Sequence, residues 1–384
     1  MFYTGTYRGT LHSYCAEFDY TDEIEFTIDR KGFINLPYSP QGSLQDGNID
    51  AAGAVTGIGM TVRSMSAGNI FIPYDALSDG INFSASGRSF NGIISVIDAK
   101  VVESTRDPVY NGGEITDVLF KLGGSLVGWR VQNGQAQAAA SLGNAGSYRV
   151  AGTGDFNGDR TTDVLFQQGG SVVAWRMQNG KVQSSTGLGN AGSYQVVGTG
   201  DINGDGTSDV LFQQGGSVVA WRMQNGQVQS STGLGNAGNY KVVGTGDLNG
   251  DGTDDIVFQD GDAVAAWIMG TNGQVQSVAN LGNAGGYRVA GVGDLNRDGR
   301  ADLVFQNGGT VAEWIMGTGG QVQSVGILGN AGGYTVSGVG DYNGDGTADV
   351  LFQQGASVVA WGVKDGQVQS LLNLGNAGDY AIVG

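Results

Sequence analysis

One histidine, one cysteine and four prolines in 384 residues remove much familiar chemistry from this chain. Cys15 has no internal disulfide partner, so no covalent framework is available and the redox compartment is left open. His12 and Cys15 are three residues apart. On a strand an odd separation puts two side chains on opposite faces, which argues against a local dyad. Neither a P-loop nor a G-x-S-x-G motif occurs, and the chain is expected not to be an enzyme. No run of 18 apolar residues exists, which excludes a membrane-spanning helix. The opening MFYTGTYRGTLHSYCAEFDY lacks a basic segment followed by an apolar core, so no cleavable secretory signal is expected. Bases are scarce too. With 19 Lys and Arg against 36 Asp and Glu, the net charge is −17, unsuited to displacing counterions from a nucleic acid.

Glycine, by contrast, is abundant at 71 residues, and the chain repeats itself. The six tryptophans, Trp129, Trp175, Trp221, Trp267, Trp314 and Trp361, follow one another at 46, 46, 46, 47 and 47 residues. The added residue lies in a turn, where QNGQ at 224–227 becomes GTNGQ at 270–274 and GTGGQ at 317–321. One unit reads as four strands: YQVVGTGD, DVLFQ, SVVAWRM and QVQSSTG. Asn225-Gly226 between the last two is a strong type I′ hairpin signal, since both central positions need positive φ. Four strands in about 46 residues is the size of a propeller blade. WD40 signatures are missing, and a calcium β-roll needs a nine-residue period. The expected fold is all-β: a six-bladed β-propeller over residues 106–384, preceded by a small antiparallel barrel or sandwich over 1–105. The chain ends on a first strand, DYAIVG at 379–384, and the first unit, NGGEITDVLF at 111–120, lacks one. Pairing 380–384 with 115–120 would close the ring.

Between the first and second strands the pattern D-x-N-x-D-G-x-x-D recurs. It appears as Asp201, Asn203, Asp205 and Asp209; as Asp247, Asn249, Asp251 and Asp255; and as Asp341, Asn343, Asp345 and Asp349. Two copies deviate: Asp155, Asn157, Asp159 and Asp163 with Arg160 at the turn glycine, and Asp294, Asn296, Asp298 and Asp302 with Arg297 beside the donors. Hard oxygen donors at positions 1, 3 and 5 before a sharp turn match the needs of calcium. An EF-hand would require a bidentate Glu at position 12, where this loop has Phe212 inside a strand; the closing donor is therefore the Asp at position 9. About five calcium sites are expected. Turn chemistry without metal is the plainer reading, because Asp, Asn and Gly favour turns anyway. Carboxylates packed this closely would then repel without compensation.

These residues resemble the FG-GAP and VCBS repeats, as in integrin α-subunit propellers and some propeller lectins, over about 109–384. The resemblance implies calcium bound in blade hairpins at the five quartets. In VYNGGEITD only Asn111 and Asp117 match the pattern, with Val109 and Gly113 in the other places, so a sixth site is expected to be empty.

Each unit also repeats a tyrosine (Tyr148, Tyr194, Tyr240, Tyr287, Tyr334, Tyr380) and an asparagine in LGNAG (Asn144, Asn190, Asn236, Asn283, Asn330, Asn376). Rings of sugar-binding aromatics or repeated packing and turn residues would produce the same pattern. Asymmetry is more specific. Arg130, Arg176 and Arg222 follow Trp129, Trp175 and Trp221, whereas Ile268, Ile315 and Gly362 take that place later. These six Trp and Arg residues are the candidate ligand-binding set, with acidic sugars as a candidate ligand. The expected function is a non-catalytic, calcium-stabilised recognition module for glycan or a surface protein. It would be extracellular, on a cell or virion surface, with residues 1–105 for attachment or homo-oligomerisation. The alternative is a structural component of an extracellular assembly, with the propeller as a rigid spacer.

Overall fold

The computed structural model describes residues 117–383 except 133, 160 and 179, together with strands between residues 5 and 100. Contacts divide the chain into two units, Met1–Arg106 and Asp107–Gly384. In the first, strands Gly5–Cys15, Phe18–Ile28, Ile34–Asn35, Gly59–Ser64, Gly68–Leu77, Gly80–Arg88 and Ile94–Lys100 pair in one antiparallel order, 3-2-1-7-6-5-4. The expected barrel or sandwich closure falls outside the described residues, as do Val109, Asn111, Gly113 and the side chains of His12 and Cys15.

The second unit is a six-bladed all-β propeller, with no helix among the described residues. Blades are numbered here by their tryptophans, Trp129 to Trp361. In blade 3 the order from axis to rim is Gln195–Gly200, Asp209–Gln214, Ser217–Gln224 and Gln227–Asn236, each antiparallel to the next. Asn225 and Gly226 have φ of 50° and 72°, the geometry a type I′ turn demands. A register shift between Val196 and Gly198 recurs in the inner strands of blades 2 to 6, and such bulges increase local twist. Inner strands crowd the axis, which is why they read GTG or GVG. A Cβ on Gly244 would stand 2.6 Å from the Val292 side chain of the next blade.

The core lies between blades, so each sheet is buried on both faces. One cluster joins Phe156, Leu165, Val172 and Ala174 of blade 2 to Val196, Val210, Phe212 and Met223 of blade 3. Another joins Tyr342, Leu351, Val358 and Ala360 of blade 6 to Val118, Phe120 and Val131 of blade 1. Blade 1 has three strands of its own, Val118–Leu122, Ser125–Gln132 and Gln135–Asn144. Its fourth is Ala381–Ile382, with Ala381 opposite Lys121 and Ile382 opposite Phe120.

Candidate functional site

Acidic loops and third-to-fourth strand hairpins share one end of the blades, as the bond from Gly226 N to Phe156 O across blades 2 and 3 shows (3.0 Å). Each loop is pinned by its second residue: Phe156, Ile202, Leu248, Leu295 and Tyr342 are all buried. Its polar residues then fold back on the backbone. In blade 3, Asp201 accepts from the N–H groups of Asp205 and Gly206 (3.0 and 2.8 Å), and Asn203 Oδ1 accepts from Asp205 N (2.9 Å). Neighbouring loops are linked, because the carbonyl of the first Asp accepts an N–H from the next blade. Asp155 O, Asp201 O, Asp247 O and Asp294 O receive Ser208, Asp254, Ala301 and Ala348 N at 2.7–2.8 Å.

The ninth-position carboxylates lie deepest. Asp163, Asp209, Asp255, Asp302 and Asp349 are fully buried, and each accepts the N–H of a third-strand residue, from Met177 to Val363, at 2.8–2.9 Å. Asp117 does the same for Val131 N in blade 1 (2.8 Å), so this role needs no complete quartet. Burial pushes all five carboxyls up to about 7, and the two other Asp of each loop add to the rise. Asp247, Asp294 and Asp341 are also raised by burial, against backbone N–H groups that favour the ionised form.

Do these donors fit the calcium implied by the resemblance? Among the described residues no three carboxylates, histidines or cysteines are gathered as a ready ligating group, and Asn203 turns its amide nitrogen toward Asp205 Oδ2 (3.1 Å). The chemistry of the donor set nevertheless fits a hard divalent cation. Three like charges crowd one loop, and Asp209 Oδ2 is buried with no hydrogen-bond partner. Asp201, Asn203, Asp205 and Asp209 would hold the ion in blade 3, and the matching quartets would do so in blades 2, 4 and 6. Arg160 lies outside the described residues.

The tryptophans are placed inside the blade stack. Each packs on a second-strand phenylalanine, with ring centroids 4.5–4.8 Å apart. The LGN glycine of the preceding blade faces each ring: a Cβ on Gly235 would be 3.1 Å from Trp267, and one on Gly375 3.7 Å from Trp129. Trp129, Trp175 and Trp221 keep part of their surface accessible, and Arg130 is exposed. Arg222 instead donates to Asn272 O and Gly273 O of the next blade (2.6 and 3.0 Å), and Arg176 lies beside Gly226 in the same manner. Ile268 fills the equivalent seam against Gly320. The LGNAG asparagines cap turns, as Asn190 Oδ1 does for Gly192 N (2.7 Å). Tyr194 meets Ser217 through its hydroxyl (3.0 Å).

At the opposite end of the blades lie functional residues that the repeat pattern alone does not single out. The glutamine of VLFQ bridges to the next inner strand. Gln213 Nε2 donates to Tyr240 O (2.7 Å) and its Oε1 accepts from Val242 N (3.1 Å). Gln167, Gln259, Gln306 and Gln353 repeat the clamp, and Gln353 grips Tyr380 O and Ile382 N of the C-terminal strand (2.7 and 2.9 Å). Blade 1 substitutes Lys121, which donates to Tyr148 O (2.7 Å). Repetition of the glutamine in five units was the available signal. Beside the Gln306 clamp, an open groove of about 600 Å³ separates blades 5 and 6, lined by Arg288, Gln306, Tyr334, Thr335 and four bare glycines. Sequence reading missed it because its walls come from two units.

The profile of the FG-GAP-like repeat matches at residues 155–212, 201–258, 247–305 and 294–352, together just over half of the chain. No curated protein matches the chain. Among solved structures, the chain is similar to an Agrocybe aegerita lectin described as recognising non-reducing terminal N-acetylglucosamine, with 19% identity and a TM-score of 0.50 over 82% of this chain and 92% of that one. A nidogen/laminin complex matches at 11% identity and a TM-score of 0.49, covering 69% and 95%. TolB from Acinetobacter baumannii matches at 11% and 0.47, covering 80% of each. At these identities the likeness concerns the fold alone, whereas the matched repeats carry the loops and strands described above: the chain belongs to the FG-GAP-like repeat family.

Proposed function

We propose that this chain is a non-catalytic recognition module whose propeller presents glycan-binding grooves at the end of the blades opposite the acidic loops. The observation that carries this reading is the groove between blades 5 and 6. Its volume lies in the range of small-ligand sites, and it combines a half-buried aromatic ring, Tyr334, with an exposed guanidinium, Arg288, and bare main chain at Gly308, Gly309, Gly332 and Gly333. A shallow trough with one aromatic face and scattered polar groups suits a saccharide. The lectin of similar fold lends support, being described as recognising a terminal sugar.

Calcium in the acidic loops stabilises the frame in this proposal. Ring closure rests on the Gln353 clamp and the pairing of residues 381–382 with blade 1. The first unit serves attachment or oligomerisation, and the molecule works outside the cell, where millimolar calcium fills weak sites. A glycan array probed with calcium-loaded protein tests the reading: one sugar class binds saturably, and Arg288→Ala or Tyr334→Ala weakens that binding at least tenfold. An array blank with folded, loaded protein defeats it.

One observation favours a structural role in an assembly instead. The rim strands of blades 4 to 6 expose Val278, Val325, Ile327 and Leu371, each more than 60% accessible, where blades 2 and 3 carry Ser and Gly. If that strip is a packing surface, Val325→Ser with Ile327→Ser changes the sedimentation of the full chain while its melting temperature stays within about 2 °C of wild type.

A further inference from the structure

The five acidic loops are not equivalent, and the difference lies in one residue at position 7. In blade 2 that position is Thr161, whose N–H donates to Asp159 Oδ1 (2.8 Å), and in blades 3, 4 and 6 it is Thr207, Thr253 or Thr347. Its N–H donates to the fifth-position carboxylate at 2.9 Å, and its hydroxyl sits between that carboxylate and a third-strand carbonyl: Met223 O at 2.9 Å, Met269 O at 3.2 Å or Val363 O at 2.5 Å. In blade 5 the position is Arg300, which takes over every one of these contacts with a full positive charge. Its N–H donates to Asp298 Oδ1 (2.9 Å), its Nε to Met316 O (3.2 Å), and its Nη2 forms an ion pair with Asp298 Oδ2. Asn296 Nδ2 donates to the same Oδ2 (3.1 Å), as Asn203 does to Asp205 in blade 3, so the guanidinium is what sets this carboxylate apart. The stem of Arg300 is held in place as well, lying against Gly250 of the blade 4 loop, where a Cβ would be 3.4 Å from its Cγ.

Charge follows the same division. Loop 201–209 and loop 341–349 each carry three Asp and no base, a formal −3, whereas loop 294–302 carries three Asp with Arg297 and Arg300, a formal −1. Arg297 takes the fourth-position glycine's place with φ of 63°. Its guanidinium reaches the blade 6 loop, where a Cβ on Gly346 would be 3.1 Å from Nε. A guanidinium tethered at the fifth-position carboxylate occupies a donor the ion needs and repels any dication brought to the remaining two.

We infer that Arg300 is a built-in counter-ion, so that the blade 5 loop folds as a calcium-independent clasp and the propeller holds four ions, not five. This rests on the calcium reading of the other loops. Native mass spectrometry of the full chain, equilibrated with calcium and stripped of excess, counts the ions. Four are expected for wild type and five for Arg300→Thr, which restores the residue of blades 3, 4 and 6. The converse change, Thr207→Arg, is expected to leave three, with circular dichroism showing each variant folded. Five ions on the wild type, or equal counts for wild type and Arg300→Thr, would overturn the inference while leaving calcium in place. No ions on any of the three would overturn the calcium reading and this inference with it.

Discussion

The two ends of the blades are held by opposite kinds of interaction. At one end, loops of three carboxylates are linked from blade to blade through Asp carbonyls, with ninth-position carboxyls pushed up to about 7. At the other, neutral glutamines clamp the backbone of the next blade with two bonds each. The clamp is satisfied as it stands, whereas the loops carry charge that only a cation or a proton relieves. Solution conditions should therefore govern one end of the propeller and leave the other nearly indifferent.

The largest expected effect comes from chelation. An ion present at a hundred times its Kd stabilises the folded state by about 2.7 kcal/mol per site, so stripping several ions should lower the melting temperature by roughly 10 °C or more. The effect depends on pH, and its sign follows from the raised pKa values. Without metal, a carboxyl raised from 3.8 to about 7 contributes stability that is present below about pH 4 and lost as pH rises through 7. Chelated protein should thus weaken from pH 4 to 8. Calcium needs the ionised carboxylates, so the gap between loaded and chelated melting curves widens over the same span. Scanning calorimetry at pH 5 and pH 8 measures both, and coincident curves at pH 8 would remove calcium from the account.

A mid-sized effect tests the neutral end. Gln213→Ala leaves Tyr240 O and Val242 N unpaired at a blade seam, a loss of about 2–4 kcal/mol that should be the same with calcium and with chelator. If the loss in urea unfolding differs between the two conditions, the two ends are coupled and not held independently.

Glu313 gives the smallest effect and sharpens the comparison, being a buried carboxylate outside the loops. It stands where other blades have Ala or Gly, faces Gly326 and the Gly366 turn of blade 6, and has an orphan Oε2. Burial pushes it up to about 7. Its contribution is present below about pH 4.5 and fades as pH rises through 7, so Glu313→Ala should be more stable than wild type by about 1–3 kcal/mol at pH 8. The advantage should shrink at pH 5 and be indifferent to calcium. A destabilised variant at pH 8 would mean that the carboxylate has a partner in solution.

Much of this was legible in the chain because it is encoded locally. The Asn225-Gly226 turn and the D-x-N-x-D-G loops depend on neighbours within a dozen residues, and their recurrence every 46 to 47 residues repeats that local code. Local steric and hydrogen-bonding rules act there without knowledge of the rest. What spans a blade seam was not legible. Gln213 meets Val242 across 29 residues and Arg222 meets Gly273 across 51, and nothing near either residue names its partner. The tryptophans read equally well as stacking platforms or as packing, until the preceding blade's position put a glycine against each ring, opposite the phenylalanine of its own blade. Sequence by itself thus determined the repeat, the strands and the acidic loops, since backbone geometry and charge are set residue by residue. Only the tertiary structure decided which side chains clamp, which groove opens between blades 5 and 6, and which loop carries its own counter-ion, because each of those depends on distance between units that the chain separates.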